Sequence, residues 1–402
     1  MTDASTAGAL AGWTVIDLTR VLGGPYCTQL LGDMGARIIK VEPPQGDETR
    51  DWGPPFKDGE SAYFTGVNRN KESIGLDLSK PEGRDVLFRL LDGADVLIEN
   101  FKTGTLEKWG LGYEETLRTK FPHLIHCRIT GFGGDGPLGG FPGYDAVVQA
   151  MAGLISINGA PESGPVRLGI PIVDIATGLY AATAILGAAV ERGTSGKGQS
   201  VEACLFDTGI ALLHPHAANW FMSGATPELT GNAHPNIVPY DAFPTKTGPV
   251  FLSIGNNGQY ARLCEELDAP HLLSDPRFAD NADRMAHRDE LRGELVGLLA
   301  TRDGEALCAS LLASAIPAGP ILDIPRVLTH PHAKHRGMLV EQGSYRGTGL
   351  ATKFSRTPGG ARKNPPRFGE DGRGVLKDAG FTGDEVQAFI DSGVVTEERR
   401  RR

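Results

Sequence analysis

The chain has 402 residues, with 40 Lys and Arg against 49 Asp and Glu, and therefore a formal net charge of −9. Its content of 40% hydrophobic and 22% charged residues is ordinary for a globular protein and excludes a mainly disordered chain. The length predicts two or three domains. The acidic balance argues against nucleic-acid binding, which needs a basic surface for the phosphate backbone.

The cysteines and the apolar segments indicate the cellular compartment of the protein. The cysteines are widely spaced and form no CxxC pair, which excludes a disulfide framework or a zinc ribbon and favours a reducing compartment. Residues 1–12 lack the apolar segment of a signal peptide. The most apolar window, 175–190, is too short to span a bilayer comfortably and predicts a buried helix. We therefore expect a cytoplasmic protein that has no membrane partner.

Strand and helix patterns alternate along the first part of the chain. In chain order they predict a strand over 15–18, a loop over 21–25, a helix over 26–34, a strand over 37–42, a helix that starts at a capping box over 79–82 and has apolar positions up to Leu91, and strands over 95–101 and 124–130. This alternation is typical of an α/β protein with a Rossmann-like parallel sheet. Ligands of such sheets bind at the carboxyl ends of the strands.

The second part of the chain predicts a change of domain. A Gly/Pro-rich loop over 131–143 precedes an alanine-rich helix from Ile175 to Arg192 and a strand over 200–204. From 223 to 328 short strands and amphipathic helices alternate with Pro-rich turns, which indicates a smaller α+β domain. We predict a large domain of residues 1–222 and 329–402, built from both chain ends, and a small domain of residues 223–328.

Three motifs suggest chemistry but lack its context. Residues 131–136 satisfy GxGxxG, yet Pro137 prevents the helix that a dinucleotide site needs, so a loop that covers substrate is the better interpretation. We predict no metal site at His330, His332 and His335, because no carboxylate or cysteine stands at a spacing that would complete a ligand set. Without a GxSxG motif, a serine nucleophile has no support.

Asp174 is the strongest candidate for a reactive side chain. It stands between the apolar segment 168–173 and the alanine-rich helix, where unpaired N–H groups and the helix dipole favour its ionised form. An ordinary N-cap is the alternative interpretation. A carboxylate among apolar neighbours would be poorly solvated and therefore reactive.

Five motifs, taken in order, resemble the class III CoA-transferase (CaiB/BaiF) family, to which formyl-CoA transferase and the α-methylacyl-CoA racemases belong. The likeness continues to Pro358 and so covers nearly the whole chain. The motifs are GWTVIDLTRV at 12–21, LGDMGARIIKVEPP at 31–44, NKESIGLDL at 70–78, ADVLIENF at 94–101 and RGTSGKGQ at 192–199.

The resemblance implies the site residues. Asp174 matches the family's nucleophile, and Asp145 is a weaker candidate for positioning or acid–base help, with a purely structural role about as plausible. Because many members carry Arg where this chain has Lys108, phosphate binding would rest on a point charge. The residues that would hold CoA are Val21, Leu22, Gly23, Leu76, Asn100, Phe101 and Lys108.

Two further features bear on the substrate. Residues 232–240, which include the candidate substrate-loop residues His234 and Asn236, resemble the members that handle dicarboxylates, and this disfavours formyl transfer. Racemases pair the Asp with a histidine in a Gly-His-Asp triplet, whereas this chain has Gly143-Tyr144-Asp145. A phenol with a pKa of about 10 is a poor base at neutral pH, so racemisation is disfavoured.

The resemblance thus implies an acyl-CoA:carboxylate CoA-transferase that acts on a small dicarboxylate through an aspartyl-acyl anhydride and an aspartyl-CoA thioester. It implies a CoA thioester as substrate, no permanently bound cofactor, and an interlocked homodimer. The alternatives are an acyl-CoA racemase or epimerase and a catalytically silent subunit that binds CoA esters. A dehydrogenase is a poorer alternative than either.

Overall fold

The computed structural model describes residues 8–400, so most of the stretch on which the absence of a leader was argued, residues 1–7, lies outside the described residues. The strands are β1 Thr14–Asp17, β2 Arg37–Glu42, β3 Phe56–Lys57, β4 Glu60–Ser61, β5 Lys71–Leu76, β6 Val96–Glu99, β7 Ile125–Thr130, β8 Gly159–Ala160, β9 Gly164–Pro165, β10 Ser200–Cys204, β11 Tyr240–Phe243, β12 Val250–Ser253, β13 Ala318–Pro320, β14 Leu339–Gln342, β15 Tyr345–Thr348 and β16 Val395–Thr396. The helices are α1 Gly23–Asp33, α2 Ala62–Thr65, α3 Pro81–Leu91, α4 Thr105–Lys108, α5 Arg118–Lys120, α6 Asp145–Met151, α7 Ile172–Ser195, α8 Leu205–Ala211, α9 His216–Ser223, α10 Asn257–Glu266, α11 Pro270–Ser274, α12 Asn281–Ala286, α13 Arg288–Leu299, α14 Gly304–Ala313, α15 Ile324–Thr329, α16 Pro331–His335, α17 Gly372–Asp378 and α18 Gly383–Asp391.

The described chain divides into two compact units. The first contains residues 8–152, 169–212 and 331–400, and the second contains residues 153–168 and 213–330. The second unit includes the whole of the segment predicted as a small domain, 223–328, and adds residues on both sides of it and the stretch 153–168. Each unit has its own apolar core.

A seven-stranded sheet forms the centre of the first unit, in the order β10-β7-β6-β1-β2-β5-β16. Its neighbours are parallel except for β16, which returns from the C-terminal end and pairs antiparallel with β5. Because β1 lies between β2 and β6, the strand order reverses beside it. The chain leaving β1 and the chain leaving β6 therefore open a crevice at their carboxyl ends, where α/β sheets bind ligands.

The second unit is built on a small antiparallel sheet. Strands β11, β12 and β13 pair in that order, with Ala242 opposite Phe251 and Phe251 opposite Gly319. Helices α10, α13 and α14 contribute buried leucines to the core beside this sheet. The short strands and amphipathic helices predicted for this region agree with that arrangement.

Helix α1 begins earlier than the sequence predicts. Residues 23–25 were expected in a loop, but they form the first turn of the helix. Proline is tolerated in a first turn because the N–H that it lacks has no intrahelical partner there. Gly24 allows the turn to approach β1 closely, since a Cβ at that position would lie 2.4 Å from the side chain of Thr19. The connecting loop therefore ends at Leu22.

Helix α7 is the longest helix of the described chain and packs against α1. It has 24 residues and extends three residues beyond the predicted helix at each end, and among the described helices it alone is long and apolar enough to cross a membrane. The core helix of a soluble protein passes the same test. At the crossing with α1, a Cβ on Gly178 would lie 2.6 Å from the carbonyl oxygen of Gly23. This close approach sets the N-terminal end of α7 beside the loop that precedes α1.

Replacing Gly178 with Ala is expected to destabilise the protein by about 1–3 kcal/mol, because the new methyl group must push α1 and α7 apart. Gly187 provides the matched control in the same helix, since a Cβ there meets nothing within 4 Å. Gly187→Ala is expected to stabilise by about 0.5–1 kcal/mol through helix propensity. Urea unfolding of the two variants measures both effects, and an equal response would contradict this account of the crossing.

Candidate active site

A cavity of about 340 Å³ lies in the first unit at the reversal of strand order. It brings together six residues that the family resemblance implied, namely Val21, Leu22, Gly23, Asn100, Phe101 and Asp174. The Gly/Pro-rich loop that was predicted to cover substrate supplies Gly131 and residues 140–143 to its wall. The remaining lining residues are Arg20, Glu48, Lys102, Thr103, Ile129, Thr130, Tyr144 and Leu205.

The loop from β1 to α1 is held in a strained conformation. Val21 has a φ of 72°, which is unfavourable for a β-branched residue. Its N–H donates to Asp47 Oδ1 at 3.4 Å, and Lys40 Nζ donates to the carbonyl oxygen of Thr19 at 2.9 Å. Strain that the surroundings enforce in this way is typical of functional loops.

Buried ion pairs beneath the loop supply the anchoring groups. Lys40 Nζ lies 3.0 Å from Asp47 Oδ2, and Lys71 Nζ lies 3.1 Å from Asp17 Oδ2, with all four side chains fully buried. Burial alone would raise the pKa of Asp17, but the charges of Lys71 and Lys40 hold it at about 2. Burial lowers the pKa of Lys71 to about 8. Loss of one partner would leave an uncompensated buried charge, so the loop depends on complete pairs.

Asp145 caps the helix that carries Asp174. Its Oδ1 accepts hydrogen bonds from the N–H of Val173 at 2.8 Å and of Asp174 at 3.2 Å, and its Oδ2 accepts one from Gln149 at 2.5 Å. The interpretation of Asp174 as an ordinary N-cap is therefore wrong, because Asp145 takes the free N–H groups of the first turn of α7. The carboxylate of Asp174 is left to face the cavity.

Burial raises the pKa of Asp174 to about 7, and the nearby charge of Asp145 adds to the shift. The stabilisation of its ionised form that we expected from the helix N-terminus is thus outweighed by burial and by the charge of Asp145. The N–H groups that would stabilise the charge are already occupied by another carboxylate. The expectation of a poorly solvated carboxylate agrees with burial as the largest cause.

Tyr63 does not line the cavity but lies within electrostatic reach of Asp174, and the sequence analysis missed it. Burial raises its pKa to about 12, and the negative charges of Asp174, Asp145 and Asp47 act in the same direction. Its phenol is therefore near the candidate nucleophile. It follows a short strand far from any motif that signals chemistry, and no sequence pattern singles it out.

Phe101 joins the first cavity to a second one of about 270 Å³. Leu76 and Trp109 line this second cavity with it. Lys108 lines neither cavity and lies exposed at the end of α4, one residue before Trp109. The turn that carries Asn100 and Phe101 is fixed from below, since Glu99 accepts a hydrogen bond from the N–H of Phe101 at 2.7 Å.

The candidate substrate-loop residues lie in the second unit. His234 Nδ1 accepts a hydrogen bond from the N–H of Asn236 at 3.0 Å, and burial lowers the pKa of His234. The amides of Asn236 and Asn219 bond reciprocally at 2.9 and 3.2 Å. Within the described residues, no group of three or more His, Cys, Asp or Glu side chains is arranged to hold a metal ion.

Comparison with known proteins identifies the class. The family model for CoA-transferase family III matches residues 10–372. A succinate–glutarate CoA-transferase from Agrobacterium fabrum is 43% identical, covering 91% of this chain and 94% of its own. A succinyl-CoA:glutarate CoA-transferase from Mus musculus is 38% identical, covering 98% and 92%. The crystal structure of a CAIB/BAIF family protein from Brucella suis is 39% identical, with a TM-score of 0.83 and coverage of 93% and 100%.

The chain therefore belongs to CoA-transferase family III, as its ordered motifs predicted. The predicted α/β class with a large, mostly parallel sheet is confirmed by the CaiB/BaiF structure. The predicted enzyme class, a CoA-transferase, is also confirmed. CoA thioesters are the substrates of such transferases.

Neutralising position 174 is expected to stabilise the protein in a pH-dependent way. The pKa of Asp174 rises from 3.8 to about 7 on folding, so the folded state holds its proton more tightly and loses stability as pH rises through this window. Solvent screening reduces a difference of roughly 4 kcal/mol to about 1–3 kcal/mol for this partly exposed group. Asp174→Asn should gain that amount at pH 8 and nothing near pH 4, as measured by urea unfolding. The exposed Asp85→Asn is the control, and a gain independent of pH would contradict the raised pKa.

Proposed function

We propose that this protein transfers CoA from a succinyl-CoA-type donor to a small dicarboxylate, with Asp174 as the nucleophile. The observation that carries the proposal is the carboxylate of Asp174 in a cavity at the carboxyl edge of the sheet, uncommitted to capping and with a pKa of about 7. A carboxylate suits the task because it can exchange acyl groups reversibly with other carboxylates. The names of the relatives support dicarboxylates as the acids.

The first half-reaction forms two intermediates on one side chain. An Oδ of Asp174 attacks the donor's thioester carbonyl and the C–S bond breaks. CoA leaves as a thiolate, and the acyl group stays on Asp174 as a mixed anhydride. The thiolate attacks the aspartyl carbonyl of that anhydride, forms a C–S bond, and expels the donor acid as its carboxylate. Asp174 then carries CoA as a thioester.

The second half-reaction reverses these steps with the acceptor. Its carboxylate attacks the aspartyl thioester, which releases CoA thiolate and leaves a new anhydride. The thiolate then attacks the acceptor's acyl carbon and frees the Asp174 carboxylate. One thioester bond is broken and one is made, so the transfer is close to balanced in free energy and consumes no phosphate bond.

Repulsion between two carboxylates favours the covalent steps. Ionised Asp174 faces the charge of Asp145, and acylation removes the charge of Asp174 and with it the repulsion. The free carboxylate is thereby raised in energy relative to its anhydride and thioester. The first turn of α1 lies beside the carboxylate of Asp174, since a Cβ on Gly23 would lie 3.7 Å from Asp174 Oδ1. The first N–H groups of a helix have no intrahelical partner, and we assign them to the oxyanion that forms at the attacked carbonyl.

Binding of the substrates follows the two cavities. We assign the pantetheine and thiol end of CoA to the cavity of Val21, Gly23 and Asp174, and its nucleotide end to the cavity of Leu76 and Phe101, with Lys108 at the phosphates. His234 and Asn236 are assigned to selection of the acid, by the family resemblance. No permanently bound cofactor enters this scheme.

We also propose that the protein acts in the cytoplasm as an interlocked homodimer. Large apolar side chains on the surface of the described chain support a covering partner: Val190 is 77% exposed, Phe221 76% and Met222 91%. A second copy of the chain would remove this surface from water. Sedimentation at the mass of one chain would contradict the dimer.

Trapping the covalent intermediate tests the mechanism directly. Incubation with succinyl-CoA followed by hydroxylamine is expected to place a hydroxamate on Asp174, detected by peptide mass spectrometry. Asp174→Asn should form no adduct and lose at least about 10³-fold in kcat, because no carboxylate can be acylated. An adduct on another residue, or an Asp174→Asn variant with full activity, would overturn the assignment.

The pH profile tests the electrostatic role of Asp145. Because only ionised Asp174 attacks, kcat/KM of the wild type should fall about tenfold per pH unit below pH 7 and level off above it. Asp145→Asn keeps an oxygen that accepts from Val173 and Asp174 but removes the charge, so the limb should move to lower pH. A limb that stays in place, with a uniformly lower rate, would indicate a structural role only.

A further inference from the structure

Arg20 presents an unpaired cation to the cavity that holds Asp174. It follows Thr19 in the strained loop and lines the cavity wall. Its Nε is buried and has no hydrogen-bond partner among the described residues. The two acids of the same wall, Glu48 and Asp174, form no ion pair with its guanidinium within the described chain.

Hydrogen bonds to the backbone of Arg20 fix the position from which its side chain extends. Asn100 Oδ1 accepts a hydrogen bond from the N–H of Arg20 at 3.0 Å, and Asn100 Nδ2 donates to the carbonyl oxygen of Arg20 at 2.8 Å. Both polar groups of its peptide backbone are thus fixed by one amide that follows β6. The loop conformation on either side is fixed as well, by Lys40 at Thr19 and by Asp47 at Val21.

Four buried or partly buried arginines elsewhere in the first unit are compensated by carboxylates. A buried donor without an acceptor costs free energy, so such groups are rare and call for a ligand or a function. Arg20 is the contrast to a set of paired arginines: Arg50 with Glu42, Arg69 with Asp33, Arg128 with Glu99 and Arg192 with Asp95.

We propose that Arg20 binds an anionic oxygen group of the substrates, either the distal carboxylate of the dicarboxylate or a phosphate of CoA. The proposal rests on the proposed transferase function. Both groups match the planar fork of a guanidinium, which binds two oxygens at once. The cavity already contains the carboxylates of Glu48 and Asp174, so a further anion enters it at low cost only beside a compensating cation. Its wall has two cations, and Arg20 is the partly buried one, whereas Lys102 is exposed.

The two anionic groups can be told apart because different substrates carry them. A dicarboxylic acid reacts at one end, and that carboxylate loses its charge in the anhydride, while the distal carboxylate stays ionised throughout. A monocarboxylate of similar length presents no such group. A CoA phosphate, in contrast, is present in every donor and absent from a pantetheine thioester.

Arg20→Gln tests the proposal in the full-length enzyme with two pairs of substrates. The first pair compares glutarate with valerate as acceptor, at saturating butyryl-CoA, and the second compares butyryl-CoA with butyryl-pantetheine as donor. A carboxylate partner predicts a loss of roughly 10- to 100-fold in kcat/KM for glutarate and little change for valerate. A phosphate partner predicts a similar loss for butyryl-CoA and little change for butyryl-pantetheine.

Two controls keep the outcome specific. Arg118→Gln removes an equal charge from the surface, where Arg118 is 63% exposed, and should leave every kinetic constant unchanged. Arg20→Lys retains the charge without the fork and should recover part of the loss. Thermal unfolding of each variant establishes that the fold is intact.

Each result bears on one claim. The role of Arg20 is overturned if the wild type transfers CoA and Arg20→Gln changes kcat/KM equally for both members of each substrate pair. The proposed function would still stand. A wild-type enzyme inactive with all donors and acids would instead overturn the proposed function. In that case isothermal titration still tests the role of Arg20. The proposal predicts that Arg20→Gln binds either CoA or glutarate more weakly than the wild type does.

Discussion

The hydrogen bonds from Val173 and Asp174 to the carboxylate of Asp145 are the interaction on which the site depends. They satisfy the first turn of α7 with a side chain from a different helix. They thereby tie α6 to α7 and leave the carboxylate of Asp174 free to react. The same contact brings a negative charge close to Asp174 and helps to raise its pKa to about 7. One capping interaction therefore positions Asp174 and adds to the effect of burial on its pKa.

The opposite wall of the cavity depends on buried ion pairs. Val21 adopts its strained conformation because Asp47 and Lys40 fix the peptides around it, and those two groups are themselves a fully buried pair. Two glycines then bring the wall against the nucleophile, since only Gly23 and Gly178 allow α1 and α7 to cross so closely. Helices α1 and α7, with the strained Val21 in the short loop before α1, hold the Asp174 carboxylate against the wall that we assign to the thioester.

Local sequence pattern predicts the sheet, and the family resemblance of the motifs predicts part of the cavity. The β-branched runs at β1, β2 and β6 are buried strands, and the loops after them meet at the carboxyl edge of a parallel sheet. The start of α1 and the cap of α7 were not predictable in this way. Both depend on contacts between residues far apart in the chain, such as Asp145 with Val173. For the same reason Tyr63 and the pKa of Asp174 emerge only from the folded arrangement.

Charge balance is the central difficulty for the proposed reaction, because CoA and a dicarboxylate are both anions and the cavity is lined by Glu48 and Asp174, with Asp145 close behind. The buried lysines beneath the loop do not relieve it, since Asp17 and Asp47 already compensate them. In the proposed mechanism covalent chemistry relieves part of it, because the charge of Asp174 disappears whenever it carries an acyl group or CoA. The charge that remains on the substrates needs a cation that the protein has not already paired, and this requirement connects the unpartnered guanidinium of Arg20 with the reaction at Asp174.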